Sequence, residues 1–288
     1  MIRLYLLGKK GFECLKNLNS EHLSSIADII VGKDENVQND YSRDIHLLAQ
    51  ELDIPSFSKK KESENQSIKL RVAIGWRWII QPAKNVLVFH DSLLPKYRGF
   101  NPLVTALING DTEIGVTVIE GNDDFDTGNL VKQEKISISY PLKVKDAIEK
   151  LAILYSDLLN EVLADYSGKG LVSYAQDEKL ASYSLWRDED DYEIDWSQSA
   201  IEIKRFIDAV GYPYKGAKTR YDGKWVRIFD ATPEKDVVIA NRTPGKVLFK
   251  KRECYHIVCG IGLLSINDFY DDLGNPMVFQ KSFRLKFG

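Results

Sequence analysis

Along the first half of this 288-residue chain, short apolar runs alternate with segments whose apolar residues recur at helical spacing. Residues 2–7 are mostly apolar and end at Gly8, the pattern of a buried strand. A helix is predicted from residues 11–18, and 27–31 is a second strand pattern. Ile45, Leu48 and Leu52 predict a helix over 42–52, which Asp53-Ile54-Pro55 ends. Residues 59–67 are polar and charge-rich and read as a loop. Two more apolar runs, 70–74 and 86–89, are short enough for strands. This alternation predicts an α/β fold: a Rossmann-like, mostly parallel sheet with helices on both faces. In such sheets function collects beyond the carboxyl ends of the strands. His90 directly follows the 86–89 run and falls there.

Residues 102–108 read as a helix closed by Asn109-Gly110, and 115–120 and 130–138 read as strands. The clearest helix covers 142–163. Val144, Ile148, Leu151, Tyr155, Leu158 and Val162 form its apolar stripe, widened by Leu154 and Leu159. Composition shifts at 168–170. Residues 187–191 read as a charged loop and 197–209 as a helix. From Lys215 the pattern becomes short β-rich runs at 225–229, 237–240, 245–249, 255–258 and 262–266. They predict a smaller β-rich domain resembling a partly open barrel. The expected organisation is a catalytic domain over 1–185, a linker and helix over 186–214, and the β-rich domain over 215–288.

Composition narrows the classes. A net charge of −3 gives no general attraction to nucleic acid or to an anionic membrane. The first apolar run ends too early for a signal peptide, and no run approaches the length of a membrane span, so a cytoplasmic protein is expected. Cys14, Cys254 and Cys259 are too few for a disulfide framework. Cys254 and His256 alternate on one strand face, but Cys259 falls on the other, and no second ligand pair accompanies them. Reduced thiols and no metal are expected.

The candidate chemistry lies in His90-Asp91-Ser92-Leu93-Leu94-Pro95-Lys96-Tyr97-Arg98-Gly99 and in Asp126-Thr127-Gly128, 36 residues after His90. A carboxylate that orients a histidine ring and stabilises its cation is a general acid/base arrangement. Gly8-Lys9-Lys10-Gly11 reads as a loop after the first strand, and its spacing lacks the full dinucleotide fingerprint.

The span 88–131, with these motifs and 109–117 between them, resembles the folate-dependent formyltransferases. Residues 190–196 and 212–217 resemble stretches in the members that formylate amino sugars on nucleotide carriers. The resemblance implies transfer of a formyl group from N10-formyltetrahydrofolate, as co-substrate, to an amine. It makes His90 and Asp126 catalytic. The family's third catalytic residue, an asparagine two positions before the histidine, is Val88 here, and valine donates no hydrogen bond. Asn101 is the first candidate to replace it; Asn85 is poorly placed unless the strand is bulged. Folate contacts are expected from Trp76, Arg77, Trp78, Ile79, Leu94, Asp124 and Phe125. Strand-end packing is the other reading of the two tryptophans. Acceptor contacts are expected from Lys9, Lys10, Ser92, Lys96, Tyr97, Arg98 and Gly99, and base stacking from Trp186, Trp196 and Tyr214.

The resemblance implies a sugar N-formyltransferase acting in surface-polysaccharide (O-antigen) synthesis. Its partners would be a nucleotide-sugar and folate, without metal or membrane, in a homodimer. One alternative is a methionyl-tRNA formyltransferase, which the net charge disfavours although Lys246, Lys250, Lys251 and Arg252 offer a basic cluster. The other, left open by Val88, is a catalytically degenerate binding protein.

Overall fold

The computed structural model describes residues 1–61, 67–279 and 284–288. Residues 62–66 of the 59–67 segment read as a loop therefore lie outside the described residues. The chain forms two compact units. The first comprises residues 1–103, 112–138 and 146–186; the second comprises 104–111, 139–145 and 187–288.

In chain order the elements up to the long helix are β1 (Ile2–Leu6), α1 (Gly8–Lys16), α2 (Ser20–Leu23), β2 (Ile26–Val31), α3 (Ser42–Glu51), β3 (Ser56–Ser58), β4 (Leu70–Ile74), β5 (Val86–His90), β6 (Arg98–Gly99), α4 (Pro102–Asn109), β7 (Glu113–Glu120), β8 (Leu130–Ser137) and α5 (Val144–Ser167). The rest are β9 (Tyr183–Ser184), α6 (Ala200–Ala209), β10 (Ala217–Tyr221), β11 (Lys224–Ile228), β12 (Thr232–Glu234), β13 (Val247–Lys251), β14 (Cys254–Val258) and β15 (Leu263–Ile266).

The first unit is built on a seven-stranded sheet in the order β3-β2-β1-β4-β5-β7-β8. β3, β2, β1, β4 and β5 are parallel; β7 and β8 are antiparallel. The central strands are buried on both faces, as their unbroken apolar runs require. β8 at the edge is polar and carries Lys132 and Lys135, which deter further pairing. The α5 stripe within this unit is core: Leu151, Tyr155, Leu158, Leu159 and Val162 are buried. Strand order reverses between β1 and β4, and there the backbones nearly touch. Gly75 has φ +63, and a Cβ on it would lie 2.6 Å from the Leu7 carbonyl oxygen.

Three expectations are corrected in this unit and the next. Residues 8–11 are the first turn of α1, not a loop. Its buried face begins only at Gly11, followed by Cys14 and Leu15, so the polar first turn hid the start. Residues 187–191 run into a 3-10 turn over Glu189–Tyr192, closed by a capping box between Asp188 and Asp191. Residues 237–240 form no strand; Val238 is fully exposed and gains nothing from pairing.

The second unit holds a two-stranded sheet, β10-β11, and a four-stranded sheet in the order β12-β15-β14-β13. Ser199 and Glu202 cap α6 reciprocally. Among the described residues, no helix is long and apolar enough to cross a membrane.

Candidate active site

β5 pairs with β4 and β7 without a bulge, so Val88 and His90 share one face and Phe89 takes the other. The register aligns Ile30, Tyr5, Ala73, Val88 and Ile119 across the sheet. Val88, Trp76 and Ile80 pack against the buried cluster of Tyr5, Ile30 and Ala73. Position 88 thus belongs to an apolar row. Asn85 precedes β5 at the end of the strand remote from His90, and no bulge brings it closer.

His90 is buried. Its Nε2 lies 2.8 Å from the Tyr97 carbonyl oxygen. A carbonyl only accepts, so Nε2 carries a proton and donates it. Nδ1 faces Asp126 Oδ2 at 3.4 Å. Nδ1 is therefore the nitrogen placed to take or give a proton, with a carboxylate beside it.

Asp126 is held by contacts from distant parts of the chain. Its Oδ2 accepts the Gly99 N–H at 2.9 Å. Gln176 donates its amide to the Asp126 and Gly128 carbonyls, at 2.7 and 2.8 Å. Gln176 Oε1 in turn accepts Arg98 Nε and Nη2, at 3.0 and 2.8 Å. Two further bonds, of 2.8 and 2.7 Å, join Arg98 to Glu178. Tyr97 (φ 61), Asn101 (φ 50) and Asp126 (φ 55) are left-handed. Each such residue costs about 1–3 kcal/mol and persists where its surroundings over-determine it, commonly at functional sites.

On the other side of His90, Asp91 is taken up by two residues. Lys10 Nζ donates to its Oδ2 and the Tyr155 hydroxyl to its Oδ1. Burial alone would raise the Asp91 carboxyl. The Lys10 ammonium, the Tyr155 hydroxyl and nearby His90 outweigh it and hold the group below the usual carboxylate range. Burial, with Asp91 adjacent, pushes the Tyr155 hydroxyl well above its ordinary value.

Several residues expected to contact a ligand have partners within the protein. Arg98 is 1% exposed and its guanidinium is committed to Gln176 and Glu178, so it supports Asp126 and presents no open fork. Lys10 pairs with Asp91, and Lys9 is engaged by Glu13 at 2.9 Å. Ser92 is buried with its hydroxyl on the Lys96 carbonyl. Leu94 is buried, its N–H on Thr117 Oγ1 and its carbonyl on Gln133. Trp196 is core of the second unit; it donates to Thr219 Oγ1 at 2.9 Å and packs on Phe287. Tyr214, also in that unit, packs edge-on against Tyr192.

Several other expected residues are at least partly exposed. Trp76 stands edge-on to Tyr5 and Trp78, Arg77 pairs with Asp34 at 2.9 Å, and Ile79 is exposed. Asp124 and Lys96 are exposed. Exposed Phe125 and half-exposed Trp186 flank Phe100, with ring centroids 5.4 and 5.2 Å from it. Sequence reasoning missed Phe100, Gln176 and the pairing of Asp91. No local signal marks Gln176; only its contacts do. Among the described residues, no group of three His, Cys, Asp or Glu side chains is placed to hold a metal. Cys259 is buried, which pushes its thiol up to about 12.

A family profile described as formyl transferase matches residues 72–163, and one described as formyl transferase, C-terminal domain, matches 187–284. The methionyl-tRNA formyltransferase of Streptococcus equi subsp. equi is 29% identical over 286 residues, 92% of this chain and 90% of that protein. That of Lactococcus lactis subsp. lactis is 33% identical over 194 residues, 67% of this chain and 60% of that one. Two crystal structures share the fold. WlaRD, a sugar 3N-formyltransferase solved in the presence of dTDP and 5-N-formyl-THF, has a TM-score of 0.69 at 18% identity, covering 92% of this chain and 96% of its own. The N-formyltransferase of Helicobacter canadensis, solved with folinic acid and dTDP-3-aminofucose, has a TM-score of 0.70 at 19% identity, covering 93% and 99%.

Proposed function

Because the chain belongs to the folate-dependent formyltransferase family, we propose that it moves a formyl group from N10-formyltetrahydrofolate to the amino group of a nucleotide-linked amino sugar, in surface-polysaccharide synthesis. The observation that carries the chemistry is the His90–Asp126 pair at the carboxyl end of β5, with Nδ1 facing the carboxylate at 3.4 Å. The acceptor amine attacks the formyl carbon and the carbonyl oxygen takes up the charge. The amine's proton passes to the His90–Asp126 pair. The bond from N10 to carbon then breaks as N10 gains a proton, leaving a formamide and tetrahydrofolate.

Residues at two strand ends fit the donor. Trp76, Trp78 and Ile79 follow β4 with flat apolar surface for a pterin, and Asp124 and Phe125 lie beside Asp126. Val88 leaves the oxyanion without a donor at that position. Asn101, on the strained segment after Gly99, takes the role in our reading. Lys96 and Trp186 are assigned to the acceptor.

The net charge of −3 favours a small nucleotide-sugar over tRNA. Within the basic hairpin of the second unit, Lys250 is engaged by Glu253 at 3.2 Å. A methionyl-tRNA acceptor is the second reading, favoured by the names of the sequence relatives. Purified protein with formyl donor, offered nucleotide-linked amino sugars and methionyl initiator tRNA in parallel, separates them. Formylated sugar supports the first reading, and formylated tRNA alone replaces it with the second. Donor binding without turnover on either marks a degenerate protein.

A further inference from the structure

His90 is flanked in sequence by two residues gripped from the far side of the sheet. Tyr155, on α5, stacks on the Phe89 ring with centroids 5.5 Å apart. Its hydroxyl lies 3.1 Å from the Phe89 carbonyl and donates to Asp91 Oδ1. Lys10, in the first turn of α1, holds the other Asp91 oxygen, and its Nζ sits 5.6 Å from the Tyr155 ring centroid. The ion pair is largely shielded, with side chains 16% and 18% exposed. A buried ion pair is weak support for stability, because desolvation offsets its attraction. Lys10, Asp91 and Tyr155 instead tie α1, β5 and α5 together at the residue after the acid/base histidine.

We propose that Lys10, Asp91 and Tyr155 are positioning residues that fix the backbone on both sides of His90 and thereby set its ring between Tyr97 and Asp126. None of the three is bonded to the His90 ring; the network acts through Phe89 and Asp91. Among the described residues, the ring itself is held by two contacts, at 2.8 and 3.4 Å. Catalytic groups need placement within about 0.5 Å. This inference rests on the catalytic reading of His90.

The test combines kinetics with ¹⁵N spectra of the histidine rings in the full chain, which has four histidines and is assigned with His90→Asn. Tyr155→Phe keeps the stacked ring and removes one hydroxyl. It is expected to lower kcat about 10- to 100-fold with KM for donor and acceptor unchanged. It should also move the His90 ring signals while leaving His22, His46 and His256 in place. Combined with His90→Asn, it should cost nothing further. Lys10→Met repeats the experiment should Tyr155→Phe not fold. A kcat within twofold of the parent with unmoved His90 signals overturns the inference. Full activity of His90→Asn instead overturns the catalytic reading, while the spectra still report whether the network sets the ring.

Discussion

The two halves of the acid/base pair are delivered by different kinds of structure. His90 ends a regular strand whose register is set by apolar neighbours on both sides. Asp126 sits on a loop in left-handed backbone, held by Gly99, Gln176 and, behind Gln176, buried Arg98. A strand end is inexpensive to build and recurs wherever an apolar run stops. A strained loop stays in place only because hydrogen bonds from residues 27 and 50 positions away hold it. The pair therefore joins a locally specified partner to one specified by long-range contacts.

Substitutions at each half should show this asymmetry. The largest effect is expected from His90→Asn and Asp126→Asn, each lowering kcat about 10²- to 10⁴-fold with the fold intact by circular dichroism. The double variant should be little worse than the weaker single one, since the two act as a unit. Independent, multiplying losses would separate them. Asn101→Ala should cost about 10²- to 10³-fold in kcat if it is the oxyanion donor; an unchanged rate would remove it from the mechanism. Gln176→Leu strikes only the loop half. It should lower unfolding free energy by about 1–3 kcal/mol in denaturant titration and reduce activity more than stability alone explains. Val88→Asn, in the apolar row, should lose about 1–3 kcal/mol for a poorly satisfied amide with little gain in rate; a large gain would show that the native site lacks the donor. The smallest effect is expected from Lys9→Ala, whose half-buried i,i+4 pair with Glu13 contributes about 0–1 kcal/mol.

The same asymmetry governs what could be read from sequence. The parallel sheet and the α5 stripe were legible because strands buried on both faces and a long amphipathic helix leave unambiguous periods. The strand run that ends at His90 was legible for the same reason, whereas Val88 was marked only by the resemblance. α1 was predicted to start late because Lys9 and Lys10 sit in a turn whose packed face begins at Gly11. The 237–240 run was misread because an apolar residue can stay exposed, as Val238 does. β10 escaped notice because Lys218 and Arg220 interrupt its apolar positions. Arg98 looked like an open donor because residue type does not reveal partners 78 and 80 positions away.

The apolar row through Val88 also bears on a competing reaction. A water molecule settles where it finds two or more polar partners, and the side chains of Ala73, Val88 and Ile119 provide none. Hydroxide is a nucleophile for the same formyl carbon as the acceptor amine. Beside a wall that leaves solvent unanchored, the formyl donor should outlast the wait for its acceptor. Donor consumption without acceptor should be slow in the parent protein and faster in Val88→Ser, which would give solvent a foothold.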